Sequence, residues 1–521
     1  MLNKIVFVNP PYSVQFNRDF EISPPIHLAY LGEEVKRAGW QPIYFDIPLM
    51  QKEFIDWARE LDNLLSDIEI KIIGITNHTV RTSTTACKIA DLIKEKRKDV
   101  LVVFGGVNST FMWKELLQQN KNIDYIFRGY AQCNLVKFLT EYPNINTSLI
   151  PGLAWNENDI SKSNTISSSP IEFLVPELND INISQYLKYS KTYSLITHTG
   201  CLFSCNFCTA IMPGPYQNRE LFRKVDDIIL EIINAQKVGF SNIFMSANIF
   251  TSDSDWIIEF CKKMISEKLN NVMTWVCMTR VEYINNELLC LMKQAGCKNI
   301  AYGVEVADSS QWKSLNKGKY SARKIIDAFT LTRSNDIETT AYLMVGTPEQ
   351  NKDSVEATIN LLKLIDPDYR VVSFFQPFPG TSYWNSPESY GLYDIAPLED
   401  WNFHENPICA TRYFNKEELT KIAFRIYLER GLSRKLSIEF DSLRIANLSH
   451  QVYRNIPVFV SYAFNEMDSG ISIYELLKNV KEKYSQREVL ITLYWLSSAL
   501  RYKDIVIKTN YNKGGCNGRD Q

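Results

Sequence analysis

Neither positive nor negative charge is in large excess in this sequence of 521 residues. Lys and Arg number 57 against 59 Asp and Glu, and the formal net charge is −2. A balanced charge disfavours a polyanionic partner, so we expect no nucleic-acid substrate. Long apolar runs are also missing, since no stretch approaches the roughly 20 residues that cross a bilayer. We therefore expect no membrane span.

The N-terminus lacks a secretion signal, because the apolar run in MLNKIVFVNPPYS is short and ends at two prolines. Eleven cysteines in a long chain without such a signal suggest a reducing compartment, and we expect a cytoplasmic protein. Eight of them are scattered and are interpreted as small buried hydrophobic residues, apart from the last, which lies in a Gly- and Asn-rich tail. These eight are Cys87, Cys133, Cys261, Cys277, Cys290, Cys297, Cys409 and Cys516.

The first 145 residues alternate short apolar runs with helical patterns. This alternation predicts a parallel sheet covered by helices on both faces, which is a doubly wound, Rossmann-like domain. Residues 146–190 are rich in Asn, Ser and Pro and are interpreted as a linker with at most a small hairpin near GLAWN. The predicted strands of this part cover residues 4–9, PIYFD, 70–76, 100–106 and 124–129, and the helices 26–38, 52–65, 83–96 and 132–141.

A second alternating series covers residues 191–385. Its six strand-and-helix units predict a partial TIM-type (β/α)6 barrel, in which reactive groups gather at the C-terminal ends of the strands. Residues 386–521 have mainly helical patterns, predict no third sheet, and are interpreted as a substrate cap. The fold class is α/β, and the predicted barrel strands cover residues 193–200, 241–247, 272–278, 299–306, 338–346 and 369–378.

Three cysteines stand apart in GCLFSCNFC, directly after the first barrel strand. Thiolates at Cys201, Cys205 and Cys208 on one tight loop can hold three irons of a 4Fe-4S cluster and leave the fourth iron open to an exogenous ligand. The alternative is zinc, which needs a fourth ligand at a closed site. His198 is near enough in sequence to be considered, but no second CxxC follows.

The spacing CxxxCxxC at the end of a first barrel strand resembles the radical SAM superfamily, and Phe207 before the last cysteine fits that pattern. GVEVADS, VGTPEQ and QPFPGT resemble later segments of the same family. The resemblance implies that the cluster reduces bound S-adenosylmethionine (SAM) and releases a 5′-deoxyadenosyl radical. One departure is that the usual GGE after the second strand reads MSANIF here. The implied SAM-binding residues are Phe207, Ser246, Asn248, Glu305, Gly346 and Pro348.

The first domain lacks the dinucleotide fingerprint G-x-G-x-x-G after its first strand. The segments VNPP, PPIHLAYLGEEVKRAGW, GIT, VVFGGVNST and DYIFRG instead resemble the cobalamin-binding domain that precedes the barrel in one branch of radical SAM enzymes. No D-x-H-x-x-G follows the first strand, so no cobalt ligand is implied from that loop, whereas His78 and Arg81 lie after the third strand. The implied cobalamin-binding residues are Asn9, Pro10, Thr76, His78, Gly105, Gly106, Val107 and Gly129.

With both cofactors, the resemblance implies methyl transfer to an unactivated carbon, or to phosphorus, of a small-molecule or peptide natural-product precursor. An electron donor such as flavodoxin or ferredoxin would serve the cluster. The alternatives within the branch are a radical rearrangement, a ring contraction or an oxidative cyclisation. A non-catalytic cobalamin- or SAM-responsive binding protein is an alternative of another class. Methylthiotransferases usually hold a second cluster with N-terminal cysteines. Only Cys87 and Cys133 lie in the first domain here, so a methylthiotransferase is disfavoured.

Overall fold

The structure, a computed structural model of the chain, describes most of the first 428 residues and two short strands beyond them. The described residues are 2–11, 22–50, 52, 54–166, 171–210, 218–318, 320–401, 406–428, 435–438 and 507–510. Among these residues no helix is long and apolar enough to cross a bilayer.

The first part of the chain forms a seven-stranded sheet in the order β2-β1-β3-β4-β5-β6-β7. Its first five strands are parallel and follow the order 2-1-3-4-5, which is a common doubly wound arrangement. The strands are β1 (Lys4–Asn9), β2 (Gln41–Asp46), β3 (Ile70–Thr76), β4 (Leu101–Gly105), β5 (Tyr125–Phe127), β6 (Leu153–Glu157) and β7 (Ile160–Ser163). The helices are α1 (Ile26–Arg37), α2 (Ile47–Met50), α3 (Phe54–Leu64), α4 (Val80–Lys96), α5 (Val107–Phe111), α6 (Trp113–Gln119) and α7 (Gln132–Thr140).

The hairpin expected near GLAWN forms, but it belongs to the first sheet instead of standing in a linker. Strand β6 pairs antiparallel with β5, and β7 pairs with β6. The register places the apolar half of β6 against β5, with Leu153 opposite Phe127 and both buried. The edge strand β5 is therefore covered, which removes an exposed row of unpaired backbone groups.

The second sheet has six parallel strands in the order β15-β14-β13-β12-β11-β8. Consecutive parallel strands joined by helices form the predicted partial barrel. Its strands are β8 (Thr192–Ile196), β11 (Asn242–Ser246), β12 (Thr274–Thr279), β13 (Cys297–Glu305), β14 (Glu338–Val345) and β15 (Tyr369–Phe374), with the separate hairpin β9 (His198–Cys201) and β10 (Arg219–Phe222) after the first strand. Its helices are α8 (Val225–Val238), α9 (Ser254–Ser266), α10 (Asn286–Gln294), α11 (Ser309–Ser314), α12 (Ala322–Ser334) and α13 (Lys352–Ile365).

The described residues after the barrel contain both helices and short strands. The helices are α14 (Ser382–Asn385) and α15 (Lys416–Leu428). Between them β16 (Leu392–Tyr393) pairs antiparallel with β17 (Ala410–Thr411), and after α15 the strand β18 (Lys435–Ile438) pairs antiparallel with β19 (Ile507–Asn510). The expectation of no third sheet is wrong to this extent, because strands this short leave no readable alternation. Most of the predicted helical region after residue 428, together with Cys516, lies outside the described residues.

Candidate functional site

The three clustered cysteines follow a hairpin at the mouth of the barrel. Cys201 is the last residue of β9 and pairs with Arg219 of β10. The backbone N–H of Cys208 donates to the carbonyl of Cys205 at 3.1 Å, which closes the loop between them. The N–H of Ala210 donates to the Cys208 Sγ at 3.3 Å. Backbone donors to sulfur are the contacts that stabilise thiolate ligands of iron–sulfur clusters.

Asparagine amides tie this cysteine loop to the segment after β11 and to the C-terminal end of α11. Asn248, after β11, donates through Nδ2 to the carbonyl of Gly200 at 2.5 Å. Asn206 donates to the carbonyl of Ser314 at 2.8 Å, and Asn316 donates to that of Ser204 at 2.7 Å. The loop is therefore held in place by the protein itself, so the thiols are preorganised for a ligand.

The three thiols interact with one another electrostatically. Burial raises the pKa of each, to about 12 for Cys208, and a negative charge on Cys205 would raise the pKa of Cys201 and of Cys208 further. In the described part of the chain no three His, Cys, Asp or Glu side chains converge on a single metal ion. A 4Fe-4S cube takes one thiolate per iron, so its three cysteine ligands need not meet at a single metal ion.

His198, the residue considered as a fourth zinc ligand, is a buried side chain on β9. Its ring is buried, packs at 4.3 Å from the ring of Phe222 and contacts the hydroxyl of Thr197 at 3.3 Å. Burial lowers the pKa of His198 to about 4. His198 is thus a neutral residue of the core.

Two buried cations stand beside Cys205, and the sequence analysis identified neither. Lys317 is 4% exposed and donates to Glu305 at 2.8 Å and to the carbonyl of Gly303 at 2.7 Å. Arg280, at the end of β12, lies 3.8 Å above the ring of Phe203 in the cysteine loop. Both positive charges lower the pKa of Cys205 and so oppose the effect of burial. They offset the negative charge that three thiolates would bring.

Glu305, the last residue of β13, has an unusual backbone conformation. It has a φ of +62°, and the β13–β14 register shifts between Gly303 and Glu305. A Cβ on Gly303 would stand 2.7 Å from the Glu305 Oε1 and 2.9 Å from the Lys317 Nζ. Only glycine leaves room for this ion pair. Burial would lower the pKa of Lys317, but attraction to Glu305 outweighs it and the pKa is raised.

The residues implied for SAM lie at strand ends along one edge of the barrel. Ser246 ends β11, Glu305 ends β13, and Gly346 and Pro348 follow β14. Gly346 has a φ of +86°, donates its N–H to the Gln350 Oε1 at 2.7 Å and packs against Leu419 of α15. Phe207 packs against the barrel core. The helix α15 therefore covers the VGTPEQ segment, which contains the implied SAM-binding residues Gly346 and Pro348.

Two cavities lie between the first sheet and the barrel. The first, of about 300 Å³, has a polar wall that includes Asp46, Ser194 and Ser246. The second, of about 260 Å³, is mainly apolar and enters the first domain between Phe7, Phe127 and Phe138. All eight residues implied for cobalamin line one cavity or both, namely Asn9, Pro10, Thr76, His78, Gly105, Gly106, Val107 and Gly129.

The glycine pair after β4 suits a ligand that approaches the backbone closely. Gly106 has a φ of +109°, and a Cβ there would stand 2.7 Å from the carbonyl oxygen of Asn77. A Cβ on Gly105 would meet nothing within 4 Å and would point into open space. The two positions therefore favour glycine for different reasons. The backbone conformation requires glycine at Gly106, and at Gly105 the absence of a side chain leaves the adjoining cavity open.

Alanine substitutions separate these two reasons. We expect Gly105→Ala to leave the unfolding free energy of the cobalamin-free protein nearly unchanged while weakening hydroxocobalamin binding. We expect Gly106→Ala to destabilise the cobalamin-free protein by about 1–3 kcal/mol, because a strained φ and a backbone contact must both shift. Chemical denaturation and cobalamin titration of both variants provide the measurements. Unchanged cobalamin affinity in Gly105→Ala would contradict the placement of the cofactor.

Asp46, which ends β2, is a buried carboxyl in the wall of the polar cavity that sequence reasoning missed. It accepts hydrogen bonds from the Asn9 Nδ2 at 2.9 Å and from the Tyr186 hydroxyl. Burial raises its pKa from 3.8 to about 6, although both hydrogen bonds act in the opposite direction. Asn9 is thereby held by Asp46, which fixes the amide at the cavity edge.

The raised pKa of Asp46 predicts a pH-dependent effect of its removal. Ionisation of the buried Asp46 carboxyl costs the folded state free energy. This cost is small at a pH near the pKa of Asp in the unfolded chain, and it reaches its full value above the pKa of Asp46 in the folded protein. We expect the stability of Asp46→Asn relative to wild type to rise by about 2 kcal/mol between about pH 4 and about pH 8. Chemical denaturation at both pH values tests this, with Asp159→Asn on the exposed hairpin turn as the charge-matched control. A difference that does not vary with pH would contradict it.

A buried polar network joins the two sheets beside the cavities. The Glu231 carboxylate accepts from the Tyr30 hydroxyl at 2.6 Å, the Tyr193 hydroxyl at 2.7 Å and the Arg223 Nη2 at 2.7 Å. Arg223 also donates to the carbonyl of Ile196 at 2.8 Å. Tyr30 belongs to the first domain and the other three side chains to the barrel. The network thus fixes α1 against the strand that leads into the cysteine loop.

Comparisons with known proteins agree with this arrangement. Residues 195–362 match the radical SAM superfamily and residues 20–138 match the B12 binding domain. An uncharacterized methyltransferase of Pyrococcus horikoshii is 24% identical over 454 residues, 84% of this chain and 94% of the relative. An anaerobic magnesium-protoporphyrin IX monomethyl ester cyclase of Cereibacter sphaeroides is 28% identical over 447 residues, 82% of this chain and 71% of the relative.

A solved structure has the same fold over most of the chain. The radical SAM methyltransferase TsrM of Kitasatospora setae superposes with a TM-score of 0.63 at 16% identity, over 76% of this chain and 78% of that one. TsrM has been solved with cobalamin and a [4Fe-4S] cluster bound. At this identity the likeness supports the fold, which is the predicted α/β combination.

The fold, the cysteine loop and the first of these matches define a radical SAM enzyme. With a B12 binding domain ahead of its barrel, the chain belongs to the cobalamin-dependent radical SAM enzymes. This confirms the family resemblance of the sequence and the three predicted cofactors: a 4Fe-4S cluster, SAM and cobalamin.

Proposed function

We propose that this enzyme transfers a methyl group to an unactivated carbon, or to phosphorus, of a small-molecule or peptide natural-product precursor. The observation that carries the proposal is the shared cavity wall. Ser194, Ile196 and Ser246 of the barrel line the same cavities as the residues implied for cobalamin. A substrate at the barrel mouth would therefore lie between the strand ends implied for SAM and the residues implied for cobalamin. The names of the Pyrococcus relative and of TsrM support methyl transfer.

In this proposal Cys201, Cys205 and Cys208 hold the cluster, and the strand-end residues from Ser246 to Pro348 position SAM. When bound, these two cofactors supply a 5′-deoxyadenosyl radical, and cobalamin supplies the methyl group. Lys317 and Arg280 balance the charge of the thiolates, while Asn248 holds the loop. The cavity walls exclude water from the reacting groups.

The proposed division of the chain follows from these sites. Residues 1–145 bind cobalamin, 146–190 connect it to the barrel, 191–385 bind the cluster and SAM, and 386–521 cap the substrate. The contact of Leu419 with Gly346 supports the cap, because α15 lies directly on the barrel edge. Arg425, by contrast, forms an ion pair with Glu356 on the surface, and Tyr413 is exposed. Flavodoxin or ferredoxin is the proposed electron donor.

Product analysis tests methyl transfer. Anaerobically reconstituted protein, given SAM, a reductant and candidate precursors, should form 5′-deoxyadenosine and S-adenosylhomocysteine in comparable amounts. The reason is that one SAM initiates the radical and a second one restores the methyl group on the cofactor. S-adenosylhomocysteine absent from a reaction that forms deoxyadenosine and converts the precursor would contradict the proposal.

A second candidate is an oxidative cyclisation or another radical rearrangement. The specific observation in its favour is the 28% identity to the magnesium-protoporphyrin cyclase, which is higher than the 24% identity to the Pyrococcus methyltransferase. Such a reaction would consume SAM to deoxyadenosine without S-adenosylhomocysteine. The same product analysis therefore distinguishes the two candidates.

A further inference from the structure

Two imidazoles meet at the junction of the two cavities. His27 comes from α1 and His78 from the loop between β3 and α4, and their ring centroids lie 4.5 Å apart in an edge-to-face arrangement of 74°. Both residues line both cavities. His27 lies far from His78 in the sequence, and only the parallel pairing of β1 with β3 brings α1 next to this loop.

The two rings differ in what else they contact. The His27 Nε2 lies 3.4 Å from the Thr76 hydroxyl, which fixes that ring. The His78 Nδ1 lies 3.0 Å from the point where a Cβ on Gly106 would stand, so this side of the ring packs on the glycine loop. His78 is exposed, and the surface it exposes faces the cavities. The other ring nitrogen, Nε2, is then the one that a molecule in these cavities could reach.

We propose that the His78 Nε2 is the protein ligand to cobalt in bound cobalamin, and that His27 holds the His78 ring in position. This proposal rests on cobalamin binding and on the proposed placement of cobalamin in these cavities, and not on methyl transfer. His78 would take the place of the histidine that a D-x-H-x-x-G loop supplies, because no such loop follows the first strand of this chain. Neutral imidazole is a common ligand of transition metals.

The surroundings of the pair fit this role. A neutral imidazole has one ring nitrogen with a free lone pair, and both rings line the cavities. The apolar cavity between Phe7, Phe127 and Phe138 can take the flat nucleotide base of the cofactor. With its own base held there, the lower face of cobalt would be open to the imidazole. Edge-to-face packing on His27 restricts rotation of the His78 ring, as supporting contacts of metal-bound histidines do.

Isotope-resolved spectroscopy tests the ligand directly. Protein grown with ¹⁵N-histidine is loaded with unlabelled cobalamin, reduced to Co(II), and measured by electron paramagnetic resonance with the iron–sulfur cluster oxidised. A nitrogen on cobalt splits each cobalt line, into two for ¹⁵N and into three for ¹⁴N. We expect doublets. Triplets would show that the cofactor's own base is bound, and unsplit lines would show no nitrogen ligand; either result overturns the proposal.

Two matched variants identify which histidine is bound. We expect His78→Gln to bind cobalamin and to lose the nitrogen splitting, and His27→Gln to keep the doublets with broader lines. Loss of the splitting only in His27→Gln would overturn the assignment to His78. The labelled wild-type protein gives its answer even where a variant fails to fold. A methyl-transfer assay on the same samples reports separately on the proposed function.

Discussion

Replacement of Cys205 by Ala should reduce SAM cleavage to the background of cluster-free protein. In the proposed site three thiolates hold the cluster, and Cys205 is the one whose pKa both Lys317 and Arg280 lower. Without it, an iron loses its protein ligand and the cluster either fails to assemble or loses that iron. Iron and sulfide content, visible absorbance and deoxyadenosine formation after anaerobic reconstitution are the measurements.

Cys290→Ala is the matched control for this substitution. Cys290 lies exposed on α10 and takes no part in the cysteine loop. We expect this variant to keep both its iron content and its deoxyadenosine formation. Cys205→Ala protein that retains full SAM cleavage would refute the assignment of the cluster ligands.

Replacement of Arg223 by Met should destabilise the protein by about 3–5 kcal/mol. The substitution leaves Glu231, which is fully buried, as a carboxylate without its counter-charge. Tyr30→Phe keeps the ion pair, removes one hydrogen bond to the same carboxylate and one that the Tyr30 hydroxyl accepts from Arg223 Nη1, and should cost about 1–3 kcal/mol. Denaturant unfolding of the cobalamin-free protein measures both. Because the network joins α1 to the barrel, we also expect Arg223→Met to weaken cobalamin binding.

The surface ion pair between Arg425 and Glu356 provides the comparison for Arg223. It is bidentate, whereas Arg223 makes a single contact with Glu231, but both of its side chains are partly exposed. We expect Arg425→Met to cost no more than about 1 kcal/mol. A loss as small as this in Arg223→Met would contradict the view that the network holds the two domains together.

Strand positions were predictable because parallel strands buried on both faces form continuous apolar runs. The run predicted at 338–346 forms β14 at Glu338–Val345, and the one at 70–76 forms β3 with the same bounds. Helix starts were less predictable. Helix α4 begins at Val80, three residues before the predicted start, because Thr79 caps it and forms a capping box with Thr82.

Sequence spacing alone pointed to a site only at the cysteine loop, where the residues are close in sequence. The eight residues implied for cobalamin came from the family resemblance; they line adjoining cavities, and their contacts with the cofactor stay a prediction. His27, Asp46, Arg280 and Lys317 were missed because each lies on a different element, and their proximity depends on strand order. Arg280, directly after the predicted third barrel strand, carried the one usable signal, since charged residues at strand ends of a barrel are candidates for function.

The central claim is that three thiolates hold a cluster with one iron open to SAM. Electron paramagnetic resonance of the reduced, reconstituted wild-type protein tests it most directly, with and without SAM. The account predicts a reduced 4Fe-4S signal that changes its shape when SAM is added, because SAM then binds the open iron. A protein that takes up no cluster, or a cluster signal that SAM leaves unchanged, would contradict it.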